Sequence, residues 1–135
     1  MINQKKNFEP LDQRLEEIGK AIVNSAYIVH KTLGPGLLEK VYEICLCHVL
    51  NKAGFKTERQ IPMSVEFDGI VFDEGFRLDV LVEKEVIVEI KAVDKTNQVW
   101  NAQILSHLRF MKKRLGFLIN FNVPIIKDGI KRIIL

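Results

Sequence analysis

The sequence predicts one α/β domain in which helices cover a mixed sheet, and three observations carry that expectation. Apolar residues recur at helical spacing through the first fifty positions. From residue 58 onward they fall on alternate positions, the period of a half-buried strand. A further helical stretch then separates this β-rich middle from 115–121, a run that is nearly all apolar and reads as a strand buried on both faces.

At 135 residues the chain fits one domain with room for a sizeable core. Hydrophobic residues make up 47% and charged residues 27%, a globular balance that argues against disorder. No apolar run approaches the roughly 20 residues that cross a bilayer, and Met1–Pro10 lacks the apolar centre of a signal peptide, which points to the cytoplasm and away from a membrane. The net charge of +3 is compatible with a polyanionic partner without identifying one. Lys112, Lys113 and Arg114 read as a basic helix C-terminus in preference to a dedicated phosphate contact. Cys45 and Cys47 stand two apart in a helical stretch, so they point to different faces and read as small buried or half-buried side chains of a reducing compartment.

Residues 1–10 are polar, end at Pro10 and read as a loose arm, leaving 11–135 as the domain. From 11 to 33, Leu15, Ile18, Ile22, Ala26 and Val29 mark one helical face, and Gly34-Pro35-Gly36 stops the helix. A second helix over 36–52 places Leu38, Val41, Cys45 and Val49 on its apolar side, with Gly54 closing it. Ile61, Met63, Val65 and Phe67 alternate through a strand over 58–67, which Asp68-Gly69 turns back into 70–72 as a hairpin. Strands follow at 76–82 and 86–92, then a helix at 97–112 with Ile104, Leu108 and Met111 on one side. The strand at 115–121 comes next, and 130–135 can add a short edge strand after the Asp128-Gly129 turn.

Alternation sorts the two central strands. Phe76, Leu78, Val80 and Val82 face one way and Arg77, Asp79 and Leu81 the other; Val86, Val88 and Ile90 oppose Ile87, Glu89 and Lys91. A loop at 83–85 pairs Val82 with Val86 and Val80 with Val88, and the same register sets Asp79 opposite Glu89. Directly opposed residues have Cβ atoms about 4.5–5.5 Å apart, so two carboxylates there repel unless a proton or cation intervenes. Hard oxygen donors suit Mg²⁺ or Mn²⁺, and such an ion activates water and offsets charge on a phosphate. Lys91 lies on the same face, as does Arg77, which can pair with Asp79 or meet a phosphate oxygen. The competing reading is a solvated face of surface ion pairs worth roughly 0–1 kcal/mol each. The apolar setting of both strands weighs against it.

Asp79 followed by Glu89-Ile90-Lys91 resembles the D…ExK core of PD-(D/E)XK nucleases. More narrowly, residues 14–134 resemble the GxxExxY family in five ordered blocks. These are Gly36-Leu-Leu-Glu39-Lys-Val-Tyr42, Glu74-Gly-Phe-Arg77-Leu-Asp79, Val86 through Val93, Ala102-Gln103-Ile-Leu, and Gly116 through Val123. The resemblance implies a restriction-endonuclease-like αβββαβ core, with Asp79, Glu89 and Glu39 as metal ligands, Lys91 as the catalytic lysine and Gln103 near the active centre. Read from physics alone, Glu39 is equally an acid favoured by a helix N-terminus. Tyr42, three residues later, either orients that carboxylate or packs as a ring. His107, one turn beyond Gln103, either faces the same pocket or lies on the surface. The chain departs from the family pattern at Trp100, where His is common, and at His107, where Tyr is common.

The implied activity is a Mg²⁺-dependent nuclease acting on DNA, with RNA as a further substrate and a homodimer as one assembly. Arg77, Tyr42 and His107 are its candidate substrate contacts. The alternative is a catalytically inactive nucleic-acid-binding or protein-interaction module that keeps the fold, because fold alone does not fix chemistry.

Overall fold

In the computed structural model, which describes residues 9–74 and 77–135, Asp12 opens the first helix. Its side chain accepts the Leu15 N–H at 2.8 Å, an N-cap that satisfies one of the free amides of the first turn. Helix α1 (Gln13–Leu33) buries Leu15, Ile18, Ile22, Ala26 and Val29 and ends at Gly34, whose φ of 68° suits glycine. Gly19 lets α1 approach the sheet, since a Cβ there would lie 3.1 Å from the Phe117 ring.

Helix α2 (Glu39–Lys52) forms as expected but is rotated about its axis. Its buried side consists of Tyr42, Glu43, Leu46, Cys47 and Leu50, whereas Leu38 is 77% exposed and Val41 is also exposed. The apolar face expected at Leu38, Val41, Cys45 and Val49 is therefore off by about one residue. The cause is a charged side chain, Glu43, on the buried stripe, which masks its periodicity.

Five strands form the main sheet in the order β1-β4-β5-β6-β7: β1 (Thr57–Pro62), β4 (Arg77–Val82), β5 (Val86–Lys91), β6 (Leu115–Asn120) and β7 (Ile130–Ile134). Only β5 and β6 run parallel, linked across the sheet by α3 (Val99–Met111). The expected strand over 58–67 is broken after Pro62, which has no N–H to continue a ladder. The remainder, β2 (Val65–Phe67), pairs only with β3 (Ile70–Phe72) as a separate hairpin around Asp68-Gly69. The expected arm falls mostly outside the described residues, as does Phe76; the Glu9 and Pro10 carbonyls accept from Arg114.

Helices α1 and α2 cover one face over Val80, Val82, Val86, Val88, Ile90, Phe117 and Ile119. Helix α3 covers the other, where Leu108 packs with Leu81 and Ile87. Leu78 also joins this smaller cluster, a departure from strict alternation at the point where β4 parts from β5. The result is a mixed sheet flanked by helices, the αβββαβ arrangement expected. No described helix is long and apolar enough to cross a membrane.

Candidate active site

The β4–β5 ladder follows the expected register from Val82↔Val86 through Leu81↔Ile87 to Val80↔Val88, then opens. Beyond that point the Asp79 carboxylate takes the place of a strand bond, accepting the Ile90 N–H at Oδ2 over 2.8 Å. Across the sheet Gln60 stands opposite Asp79, between the pairs Arg59↔Val80 and Ile61↔Leu78. Gln60 has φ 52°, a left-handed conformation uncommon for a residue with a side chain. Arg77 is exposed and donates to the Gln60 carbonyl at 3.2 Å rather than pairing with Asp79.

Ile87, Glu89 and Lys91 share the α3 face: Ile87 packs with Leu108, Glu89 meets His107, and Lys91 Nζ lies 5.5 Å from the Trp100 ring centroid. Glu89 is only 5% exposed, and its Oε1 accepts from His107 Nδ1 at 2.5 Å. His107 is thus buried beside the carboxylate instead of lying on the surface, and its ring is a partner of Glu89 rather than a free substrate contact. Gln103 sits exposed on α3 one turn earlier.

Burial pushes the Asp79 carboxyl from its ordinary 3.8 up to about 7. The negative charge of Glu89 adds to the rise, the Ile90 N–H opposes it, and Glu39 raises it further. Glu39 itself is raised, first by partial desolvation of its carboxyl and then by Glu43 and Glu89, while the Lys91 ammonium lowers it. The residue as a whole is exposed, so solvent screens these effects. Asp79, Glu89, Glu39 and Lys91 consequently share one electrostatic neighbourhood.

Tyr42, one turn after Glu39, does not orient that carboxylate. Its hydroxyl donates to the Gly34 carbonyl at 2.7 Å and accepts the Leu37 N–H at 3.0 Å, locking the helix corner. Its fully buried ring stacks on Phe121 at 4.6 Å between centroids. Glu43, absent from the sequence expectations, is a buried carboxylate with both oxygens engaged, by Arg59 Nη2 at 2.9 Å and by Gln60 Nε2 at 2.7 Å. The signal was available as an acid directly after Tyr42 on the stripe that continues through Leu46 and Leu50. Asn120 was also missed; its amide bonds both the N–H and C=O of Val93, tying down the chain just past Lys91.

A mixed sheet flanked by helices is the architecture of one fold family, and a family model described as the PD-(D/E)XK nuclease superfamily matches residues 16–133. The chain belongs to this superfamily. No curated protein and no solved structure matches it. The nuclease-like fold therefore rests on the family match and on the architecture itself.

Among the described residues, no group of three or more His, Cys, Asp and Glu side chains gathers closely enough to hold an ion. The expected triple set of Asp79, Glu89 and Glu39 is accordingly not assembled as one ligand cluster. The two carboxylates that act directly on each other are Asp79 and Glu89, both hard-oxygen donors. One or two carboxylates are what Mg²⁺ commonly takes from a protein, with water completing its shell. Asp79, driven toward protonation first by burial and then by the charge of Glu89, is a group that a cation would relieve.

Proposed function

We propose that the protein is a Mg²⁺-dependent nuclease that hydrolyses phosphodiester bonds in DNA, with Mn²⁺ able to substitute. The observation that supports this reading is the raised Asp79 carboxyl facing Glu89 where the β4–β5 ladder opens. Asp79 and Glu89 would hold the ion, which when bound supplies Lewis acidity toward the phosphate and lowers the pKa of water. The Ile90 N–H fixes one Asp79 oxygen, and His107 fixes one Glu89 oxygen, so each carboxylate keeps another oxygen for binding. Lys91 brings positive charge to the same neighbourhood, where it orients the attacking water and balances charge on the phosphate. Glu39 adds an acceptor for that water.

Incubation with Mg²⁺ and linear duplex, branched and single-stranded DNA, with RNA alongside, tests this directly. Wild type should cut at least one form, and Asp79→Ala and Glu89→Ala should cut none. Absence of cleavage on every substrate with both Mg²⁺ and Mn²⁺ would sink the reading. A second reading, an inactive nucleic-acid-binding or protein-interaction module, is favoured by one observation. Glu89 already has a buried partner in His107, and no third ligand joins the pair among the described residues. Calorimetric titration separates the two, because a module of this kind takes up no Mg²⁺ that depends on Asp79.

A further inference from the structure

Beside the acid pair lies a concavity that the proposed chemistry does not use. It occupies about 140 Å³ between the N-terminal end of α3 and the β6–β7 ladder, and Trp100, Asn97, Asn101, Leu118, Asn120 and Lys131 are among its lining. Its place relative to the site follows from register. Leu118 pairs with Glu89 and Asn120 with Lys91, while Lys131 pairs with Leu118 from the far side. Paired residues point to one face, so the cavity floor shares the face of Glu89 and Lys91 and begins one strand away, about 4.8 Å. Trp100 belongs to both places, lining the cavity and carrying Lys91 Nζ 5.5 Å from its ring centroid.

The chemistry of the lining selects a class of ligand. The indole, Leu118 and Val123 offer flat and apolar surface, which an ion would not fill. Around them the side-chain amides of Gln98 and Asn101 make no hydrogen bond within the described protein, and Asn97 uses only its Oδ1, on the Val99 N–H. Each amide presents both a donor and an acceptor, the pattern that a heteroaromatic edge also presents. The opposed charges of Asp128 and Lys131 cancel at the cavity, so it does not favour a free anion.

We propose that this cavity is a nucleobase pocket, in which Trp100 is the stacking face and Asn97, Gln98 and Asn101 meet the base edge. The proposal rests on the phosphodiesterase reading and narrows its substrate: the nucleotide held beside the acid pair must be unpaired. A base inside a duplex has both faces stacked and its pairing edge occupied, whereas a base in a single strand, a flap or an extruded nucleotide has neither constraint. Every base has a π face, so recognition of this kind tolerates sequence.

Trp100 is the only tryptophan of the chain, so its emission reports this pocket alone. With Ca²⁺ in place of Mg²⁺ to suppress turnover, wild type is titrated with a short single-stranded oligodeoxynucleotide and with an abasic strand of equal length. Binding is followed independently by anisotropy of a labelled copy. The base-bearing strand should quench the emission and bind about tenfold more tightly than the abasic strand, which should leave the emission unchanged. Trp100→Phe should keep most of that preference and Trp100→Ala should lose it. Equal binding of both strands with no base-dependent quenching overturns the pocket while leaving the phosphodiesterase reading standing. No anisotropy change with either strand also overturns the pocket, whereas the phosphodiesterase reading falls only if no form of DNA or RNA is cut.

Discussion

A buried carboxylate, Glu43, and a half-buried one, Asp79, within one corner of the molecule meet opposite fates. Glu43 has a guanidinium on one oxygen and an amide on the other, so its charge is compensated and its lone pairs are used. Asp79 has one backbone N–H and faces two further acids, Glu89 and Glu39, so its charged form is opposed. Partnering of the first kind builds a structure, because a buried charge is tolerable only when paired and hydrogen-bonded. Crowding of the second kind leaves a demand for positive charge, the condition that the proposed ion would meet. The two are linked through Gln60, which gives its side chain to Glu43 and stands across the strand from Asp79.

The sharpest way to break this contrast is to remove the charge of each acid in turn. Asp79→Asn should reduce Mg²⁺-dependent cleavage at least about a thousandfold in single-turnover assays, since it removes a ligand charge from the reacting centre. Its fold should remain intact by circular dichroism. Cleavage retained within tenfold would remove Asp79 from the site.

Glu43→Ala should act on stability instead. It strips Arg59 and Gln60 of their shared partner, and removing one member of a buried pair costs about 3–5 kcal/mol. Arg59 is 34% exposed and can turn to water, so we expect about 2–3 kcal/mol by urea denaturation. An unchanged denaturation midpoint would mean that the Glu43 cluster does not support the corner at all.

A third comparison uses pH. Folded Asp79 holds its proton up to about pH 7, whereas the unfolded carboxyl ionises near 3.8. The stability contributed by the neutral form is therefore full below about pH 4 and is lost as pH rises through about 7. Asp79→Asn stays uncharged and escapes that loss. Without metal, the variant should gain on wild type by roughly 1–2 kcal/mol between about pH 4 and pH 8, the full shift being reduced by solvent at a half-buried position. Protons and Mg²⁺ compete for the same oxygens, so stabilisation of wild type by Mg²⁺ should grow across the same window. Paired melting curves at each pH check both signs.

Much of this contrast was legible before any coordinates, and the parts that were not have identifiable causes. The register of Val80 on Val88 follows from strand alternation and a three-residue turn; it ends before the expected Asp79–Glu89 pairing, although Glu89 still acts on the Asp79 carboxyl. The opening of the ladder at Asp79 was hidden, because a side chain that replaces a backbone bond leaves no periodic trace. The face of α2 was misread because Glu43 interrupts its apolar stripe, and the partners that make its burial tolerable lie 16 and 17 residues away. His107 was left open between the pocket and the surface for the same reason, its partner Glu89 being 18 residues distant on another element. Local pattern carried the strands; long-range polar pairing carried what was missed.

Tyr42 supplies the finest division between the two regions, since it is sequence-adjacent to Glu43 and belongs to the same helix turn as Glu39. Its hydroxyl serves the backbone of the Gly34–Leu37 corner and touches neither acid. Tyr42→Phe keeps the ring on Phe121 but leaves the Gly34 carbonyl and the Leu37 N–H without that partner, a loss of about 1 kcal/mol. Because the corner leads directly into Glu39, a loosened corner would displace Glu39 and reach Asp79 only through its field, which is weaker there than that of Glu89. Cleavage at saturating Mg²⁺ should then stay within about twofold of wild type while the melting temperature falls. If turnover drops well beyond the stability change, Tyr42 belongs with Asp79 after all, and the boundary between scaffold and site runs one residue further along α2.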